Sequence, residues 1–289
     1  MSVLRKLGAF CLATLASFAI LAVGQGLWQP LSIANLRVQP EFPWAALVMA
    51  GVLALLLLYL SGRGWPRSTS ERRRELLRWN PMPLRTFLLA VLAGVLALGA
   101  FGGLWIAVSD LAHLPPGIQP KAPPGTPMTT LIVLLLTSSI AAPLTEEAAF
   151  RGYATGILRK AWGSRTAAVL GATVLFAAAH FLQGLDPLKL SLYFAAGLIF
   201  AVVAEVTNSL YAAMVVHGLG DVLGFTLLWP HDQQAHPMGF ADPMFVPALA
   251  ALAIFTPAAV FAFSRFASTP KPGGGGRHGA VAGSAALGS

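Results

Sequence analysis

Charge is scarce in this sequence. Only 10% of its 289 residues are Asp, Glu, Lys or Arg, whereas 56% are hydrophobic. A soluble domain carries charge on about a quarter of its residues, so the composition excludes an ordinary water-soluble globular protein. Acidic residues are the scarcer class, at 11 against 19 Lys and Arg. The basic excess comes without an aromatic stacking platform or a nucleic-acid-binding motif, and we therefore expect no nucleic-acid partner.

Cysteine is almost absent, because Cys11 is the only one. One thiol excludes a disulfide framework within the chain and a metal site built from several cysteines. Apolar bulk is nearly absent from residues 268–289, where Gly, Ala and Ser predominate. We predict a disordered tail for that segment.

Long apolar stretches are what the sequence has in abundance. A helix needs about 20 apolar residues to cross roughly 30 Å of hydrocarbon, and eight stretches are close to that length. The predicted fold is therefore all-α, a polytopic membrane protein with about eight transmembrane helices. The predicted segments are residues 7–27, 43–60, 86–108, 129–158, 166–181, 190–206, 210–229 and 244–263.

The distribution of Lys and Arg predicts the orientation of the chain, because cytoplasmic loops retain positive charge. With the N-terminus inside, 15 of the 19 Lys and Arg residues fall on the cytoplasmic side and 3 in outer segments. The largest group lies in a basic loop at residues 61–85. We expect a multi-pass protein of the cell membrane, the inner membrane of a bacterium, with both termini cytoplasmic and the lipid bilayer as a partner.

One predicted helix carries two adjacent carboxylates. Ionisable residues are costly inside a bilayer and are therefore functional candidates. Glu147 and Arg151 are four residues apart, and an ion pair between them would neutralise both charges. Glu146 points in another direction, at 100° per residue, and is expected to face a cavity as a general base for water. The alternative is that both carboxylates only pair with Arg151 and fix helix packing.

Imidazoles occur on two further helices. Phe176 and His180 share a face of the fifth predicted helix, and His180 lies at about the depth of Glu146. His217 and Asp221 share a face of the seventh. Asp221 is expected either to accept the imidazole N–H of His217 and fix its tautomer, or to act with His217 on a developing oxyanion. Hydrogen bonds that only serve helix packing are the alternative for each pair considered alone.

Other notable residues have simpler interpretations. Gly152 and Gly156 are spaced to let a neighbouring helix approach closely. Glu205, near the cytoplasmic end of the sixth predicted helix, is expected at the membrane interface. His231 is expected in an outer loop, away from the proposed chemistry.

The patterns Glu-Glu-x-x-x-Arg, Phe-x-x-x-His and His-x-x-x-Asp occur in this order on successive apolar segments. In this the sequence resembles the CPBP family, the CAAX-protease and bacteriocin-processing intramembrane proteases, also called type II CAAX prenyl endopeptidases. The resemblance covers about residues 129–224. It implies a helical membrane protease whose site opens towards the cytoplasm and whose partner is a peptide or a membrane-anchored protein substrate.

The resemblance also implies roles for the motif residues. Glu146 and His180 would activate the attacking water, and His217 with Asp221 would bind the substrate carbonyl and its oxyanion. Eukaryotic members have Asn at the last position, whereas Asp221 cannot donate a hydrogen bond unless it is protonated. An imidazole-orienting role for Asp221 is therefore at least as well indicated. The supporting residues would be Glu147, Arg151 and Phe176.

Four parts follow from this interpretation. Residues 1–128 would hold the first three transmembrane helices and the basic loop 61–85. Residues 129–229 would form the CAAX-protease-like catalytic core, and 230–267 the last transmembrane helix. The tail 268–289 would complete the chain.

The cofactor requirement stays open at the level of sequence. The glutamate mechanism needs none, and no His-Glu-x-x-His helix is present, so no metal site is firmly predicted. The residue types are nevertheless sufficient for a catalytic zinc. Its ligands would be Glu146, His180, His217 and Asp221.

Two other function classes use the same residues. A proton-coupled transporter also needs buried carboxylates and imidazoles, but no pair of broken helices in two matching halves indicates one. A catalytically inert membrane scaffold is the other alternative, and it would tolerate the loss of Glu146.

Overall fold

The computed structural model describes residues 2–112, 114, 122–233 and 237–267. The predicted tail 268–289 lies outside the described residues. The helices are α1 Val3–Val23, α2 Gln25–Val38, α3 Trp44–Leu60, α4 Ser70–Leu77, α5 Leu84–Ala112, α6 Met128–Glu146, α7 Thr155–Trp162, α8 Arg165–Ala179, α9 Pro187–Thr207, α10 Tyr211–Leu223, α11 Trp229–Gln233 and α12 Phe245–Ala267. Two π-helical segments, Glu147–Ala154 and Gly224–Leu228, continue α6 and α10.

The all-α membrane fold is confirmed for the described residues. Six helical stretches are long and apolar enough to cross a membrane, and two shorter apolar helices, Trp44–Leu60 and Arg165–Ala179, accompany them. Each of the eight predicted segments coincides with one of these. The first extends further than predicted, to Val38, because the chain bends at Gly24 and resumes as a helix.

The span Met128–Trp162, formed by α6, the first π-helical segment and α7, packs against α1, α2, α3, α4, α8, α9 and α10. All eight residues of its π-helical segment are buried. Phe150 from this segment and Phe176 from α8 are the two largest fully buried side chains among the described residues, and their rings meet edge to face at 5.5 Å. Leucines and other large apolar side chains remain exposed on the outer faces of α1, α3, α5 and α12, as expected of surfaces that contact lipid.

Two close approaches fix the neighbours of Glu146. A Cβ at Gly24 would lie 2.2 Å from the Thr145 side chain, so only glycine lets the α1–α2 junction reach α6 here. Pro143 has no N–H to donate to the carbonyl of Ser139. Gly218 of α10 packs against that carbonyl, since its Cβ would stand 2.7 Å from the oxygen. The α1–α2 junction and α10 are thereby brought to the part of α6 that carries the carboxylates.

The basic loop predicted at 61–85 contains the short helix α4. A Cβ at Gly152 would lie 2.7 Å from the backbone oxygen of Leu76, and one at Gly156 would lie 2.5 Å from the Leu76 side chain. The glycine pair therefore admits a neighbouring helix, as its spacing predicts, and that neighbour is α4.

The contact between Gly152 and α4 gives a testable prediction for stability. We expect Gly152→Ala to lower the free energy of unfolding by about 1–3 kcal/mol, because the new methyl meets backbone that cannot rotate away. Thermal melting in detergent measures the effect. Gly51→Ala is the matched control, since a Cβ at Gly51 meets nothing within 4 Å. Equal melting temperatures for the two variants would contradict the close packing of α4.

Glu205 joins three cations where α4, α7, α8 and α9 meet. Its carboxylate contacts Arg78 at 2.7 Å and Arg159 at 2.6 Å, and it also pairs with Arg165. Burial lowers the pKa of Arg78 from its ordinary value, and the neighbouring Glu205 opposes that shift. The sequence predicts all four of these residues on the same side of the membrane, and the structure brings them together. The interfacial expectation for Glu205 is thus refined to a nearly buried ion-pair cluster.

Candidate active site

A buried ion pair forms the base of the site. Arg151 Nη1 lies 3.0 Å from Glu147 Oε1, and the side chains are 3% and 0% exposed. Arg151 Nη2 also donates to the carbonyl oxygen of Gly197 on α9 at 2.8 Å. A Cβ at Gly197 would lie 2.8 Å from the Phe176 ring and 3.2 Å from Arg151 Nη2. Glycine at position 197 therefore lets the backbone of α9 pack closely against the guanidinium of Arg151.

Glu147 also holds the imidazole of His217. His217 Nδ1 lies 2.8 Å from Glu147 Oε1 across 70 residues of sequence. An ionised carboxylate only accepts hydrogen bonds, so the proton of this bond belongs to Nδ1. One face of the ring stacks on Phe200, with centroids 4.1 Å apart and planes 12° from parallel. Glu147 and Phe200 together fix the direction of His217 Nε2.

Two carboxylates lie around His217 Nε2. Asp221 Oδ1 is 3.6 Å away and Glu146 Oε2 is 3.8 Å away. Asp221 is thus farther from the imidazole of His217 than an orienting hydrogen bond requires. Glu147 makes that bond instead, to Nδ1 of the ring. Glu146 Oε2 and Asp221 Oδ2 are buried and accept no hydrogen bond within the part of the chain that the structure describes. Buried polar atoms are normally satisfied. Glu147 Oε2 also accepts no hydrogen bond from the described residues, but of the three carboxylates only Glu146 and Asp221 have side chains that are partly exposed and so within reach of a polar ligand.

The carboxylates of the site differ in exposure. The Glu146 side chain is 12% exposed and that of Asp221 is 20% exposed, whereas Glu147 is fully buried. Gln25, at the start of α2, donates from Nε2 to Glu146 Oε1 at 3.4 Å. Glu146 and Asp221 thus border the accessible edge of the site, and Glu147 lies behind them.

His180 lies at the end of α8, in a short 3₁₀ turn that follows Ala179. Its Nδ1 lies 2.9 Å from the carbonyl oxygen of Phe176. A carbonyl only accepts, so Nδ1 carries the proton and Nε2 is left as the acceptor in the neutral ring. Tyr193 of α9 stacks on the imidazole at 4.2 Å between centroids.

Phe176 connects the two imidazoles. Its ring centroid is 4.8 Å from that of His180 and 5.9 Å from that of His217. The guanidinium carbon of Arg151 lies 4.2 Å from the centre of the same ring. Glu146 and His180 also lie within electrostatic range of one another. All seven residues singled out from the sequence therefore lie in one cluster.

The sequence interpretation missed four members of this cluster. Tyr193, Gly197 and Phe200 recur at a helical spacing of four and three residues on α9, and that spacing could have assigned them to one face. Gln25 carries no comparable signal, because only the bend at Gly24 brings it to Glu146.

The four residues proposed as zinc ligands are not gathered at metal-binding separation. Within the described ranges, the groups of three or more His, Cys, Asp or Glu whose ligand atoms all lie within 4.8 Å of one another do not include them. One nitrogen of each imidazole is already bonded to a protein oxygen. Metal analysis of the purified protein decides between the metal-free mechanism and a zinc requirement of this site.

Residues 128–223 match the model of the family described as Type II CAAX prenyl endopeptidase Rce1-like. The match begins where α6 begins and ends where α10 ends, and it confirms the resemblance drawn from the three motifs. No curated protein and no solved structure matches the chain. The family match supports an intramembrane protease of the CAAX type in general, with a peptide or protein substrate, in a multi-pass membrane protein.

Proposed function

We propose that this protein is an intramembrane endopeptidase in which Glu146 and His180 activate water. The observation that carries the proposal is the buried oxygen of Glu146, Oε2, which accepts no hydrogen bond within the described residues although two imidazoles lie nearby. Such an oxygen suits a water molecule held for attack.

The proposed reaction begins with a water between Glu146 Oε2 and His180 Nε2. Glu146 takes one proton as the oxygen attacks the substrate carbonyl carbon, and the carbonyl becomes an oxyanion. His217 Nε2–H donates to that oxyanion, which requires the protonated ring because Nδ1–H is already committed to Glu147. Glu146 then passes its proton to the departing amine, the oxyanion reforms the carbonyl as the C–N bond breaks, and a carboxylic acid and an amine result. The acid becomes a carboxylate by giving the second proton of the water to His180 Nε2. No step in this sequence requires a metal ion.

Asp221 is assigned a positioning role. Its Oδ1 lies 3.6 Å from His217 Nε2 and its side chain is the most exposed of the three carboxylates in the site. In this place Asp221 accepts from the substrate backbone N–H, and before substrate binds it lies next to His217 Nε2. Arg151 neutralises Glu147 and keeps His217 in position.

The substrate is proposed to be a leader peptide or the tail of a membrane-anchored protein. The apolar outer faces of the bundle are suited to lipid, and a substrate segment that shares the bilayer reaches the site without crossing bulk water. We propose entry from the cytoplasmic side or laterally, with both termini of the protein in the cytoplasm. A library of lipidated and unlipidated peptides tests whether the substrate must carry a lipid.

The test compares purified wild type with His180→Ala on a mixed library of lipidated and unlipidated peptides. We expect the wild type to cleave a subset and His180→Ala to be about 10²–10⁴-fold slower, the usual contribution of one acid–base group. Phe181→Ala is the matched control, since Phe181 is the next side chain and is 44% exposed. Proton flux in liposomes by a protein that cleaves nothing would favour the transporter. A folded protein that neither cleaves a peptide nor conducts protons would favour the inert scaffold.

A further inference from the structure

A second cluster of ionisable residues lies at the far end of α5 from the Glu205 cluster. Asp110 belongs to the last turn of α5, His231 to α11, and Asp242 follows the 3₁₀ turn that precedes α12. His231 Nε2 lies 3.5 Å from Asp110 Oδ1 and 3.3 Å from Asp242 Oδ2. The side chains are 7%, 0% and 2% exposed for His231, Asp110 and Asp242. Three separate elements thus direct ligand-type atoms into one buried space.

A third carboxylate lies beside the imidazole of His231. Asp232 Oδ1 is 3.7 Å from His231 Nδ1, beyond hydrogen-bond distance. Asp232 is itself held by Trp105 Nε1–H at 2.9 Å and by the Ser109 hydroxyl at 2.8 Å. Nδ1 of His231 faces Asp232, and Nε2 on the other side of the ring faces Asp110 and Asp242.

The separations of these atoms also match those between the ligands of a small cation. His231 Nε2 shares a hydrogen bond of 3.3 Å with Asp242 Oδ2 and lies 3.5 Å from Asp110 Oδ1, both longer than the roughly 2.7–2.9 Å of a charge-assisted N–H···O bond. Zinc binds imidazole nitrogen and carboxylate oxygen at about 2.0–2.2 Å in a tetrahedron, which sets its ligands roughly 3.4 Å apart. All three ligand atoms lie within 4.8 Å of one another.

We propose that Asp110, His231 and Asp242 form a zinc site that is separate from the active site. One imidazole and two carboxylates are a ligand set that zinc accepts, and three protein ligands leave the fourth position for water. The ion would tie the end of α5 to α11 and to the turn before α12. Its role is structural, and it does not depend on the proposed peptidase activity.

The first measurement is the zinc content of protein purified without chelator. We expect about one zinc per chain in wild type and in Glu146→Gln, and at least a tenfold lower content in Asp242→Asn and His231→Gln. Asp242→Asn keeps an amide oxygen for the backbone N–H of Met244, which Asp242 Oδ1 now accepts, so the local turn is preserved. Equal zinc contents in all four proteins, or loss confined to Glu146→Gln, would overturn the proposal.

A thermal-shift titration keeps the proposal testable if a variant loses stability. Wild type is treated with chelator, dialysed, and melted with and without added zinc. A ligand at a hundredfold excess over its dissociation constant raises the melting temperature of a chain of this size by roughly 5 °C or more. We expect that rise in wild type and Glu146→Gln but not in Asp242→Asn. An absent rise in wild type, or an equal rise in Asp242→Asn, contradicts the site.

Discussion

Glu146→Gln will abolish peptide hydrolysis while leaving the protein folded. The substitution keeps the size of the side chain and an Oε1 that accepts from Gln25 as Glu146 does, but the amide cannot take a proton from water. The same carboxylate is assigned the delivery of a proton to the leaving amine, so both proton transfers fail together. We expect kcat/KM to fall by at least about 10³-fold, within the range that enzymes lose with an acid–base group.

The rate is measured on the best peptide from the library, with thermal melting as the check on folding. Glu75→Gln makes the same chemical change at an exposed position, where Glu75 pairs with Arg72 at 3.5 Å and is 60% exposed. That control should cleave within about twofold of wild type, as surface ion pairs contribute little. Undiminished cleavage by a folded Glu146→Gln protein would remove Glu146 from the mechanism.

Arg151→Met will cause the largest loss of stability among the substitutions considered. It leaves the Glu147 carboxylate, which is 0% exposed, without its guanidinium partner at 3.0 Å. Removing one member of a buried pair costs about 3–5 kcal/mol, because the remaining charge stays buried. We expect a melting temperature roughly 10 °C below wild type, measured in detergent at one scan rate.

A second variant separates lost charge balance from lost packing. The double variant Glu147→Gln with Arg151→Met has no buried charge left in the pair, and the new amide still offers an oxygen to His217 Nδ1. We expect it to recover at least half of the stability that Arg151→Met loses. Arg72→Met is the matched surface control and should cost less than about 1 kcal/mol. If the double variant melts below Arg151→Met, the ion pair is not what stabilises this part of the bundle.

Sequence patterns were sufficient to predict the apolar helical segments and the side-chain contacts within one helix. Hydrophobic length placed all eight apolar segments, and the spacing of Glu147 and Arg151 predicted their ion pair because both lie on one helical stretch. The order of the three motifs also predicted the family that residues 128–223 match. These inferences rest on local periodicity, which the amino-acid sequence records directly.

Contacts between distant helices could not be predicted in the same way. The bond from His217 Nδ1 to Glu147 depends on how α10 is rotated against α6, 70 residues away. The site therefore differs from the expectation in which Asp221 holds the ring. Helix rotation is set by close approaches such as Gly218 against Ser139, and a single sequence does not show which glycine meets which helix.

One cation of the basic loop has a structural role that a count of Lys and Arg does not show. Arg73 was counted only as a topological cation, yet it is 4% exposed and donates to the backbone oxygens of Tyr59, Pro66 and Arg63. A cation count treats every Lys and Arg alike. It could not distinguish Arg73, which joins α4 to the end of α3, from neighbours that face the solvent.

Mass spectrometry of peptide products formed in ¹⁸O-labelled water tests the central claim most directly. Purified wild-type protein should release a fragment whose new carboxylate contains one ¹⁸O atom, and Glu146→Gln should release none. This result would show that the protein itself hydrolyses a peptide bond with a water that Glu146 activates. Intact peptides of every class, together with proton flux that requires Glu146, would contradict the claim and identify the buried carboxylates as parts of a carrier.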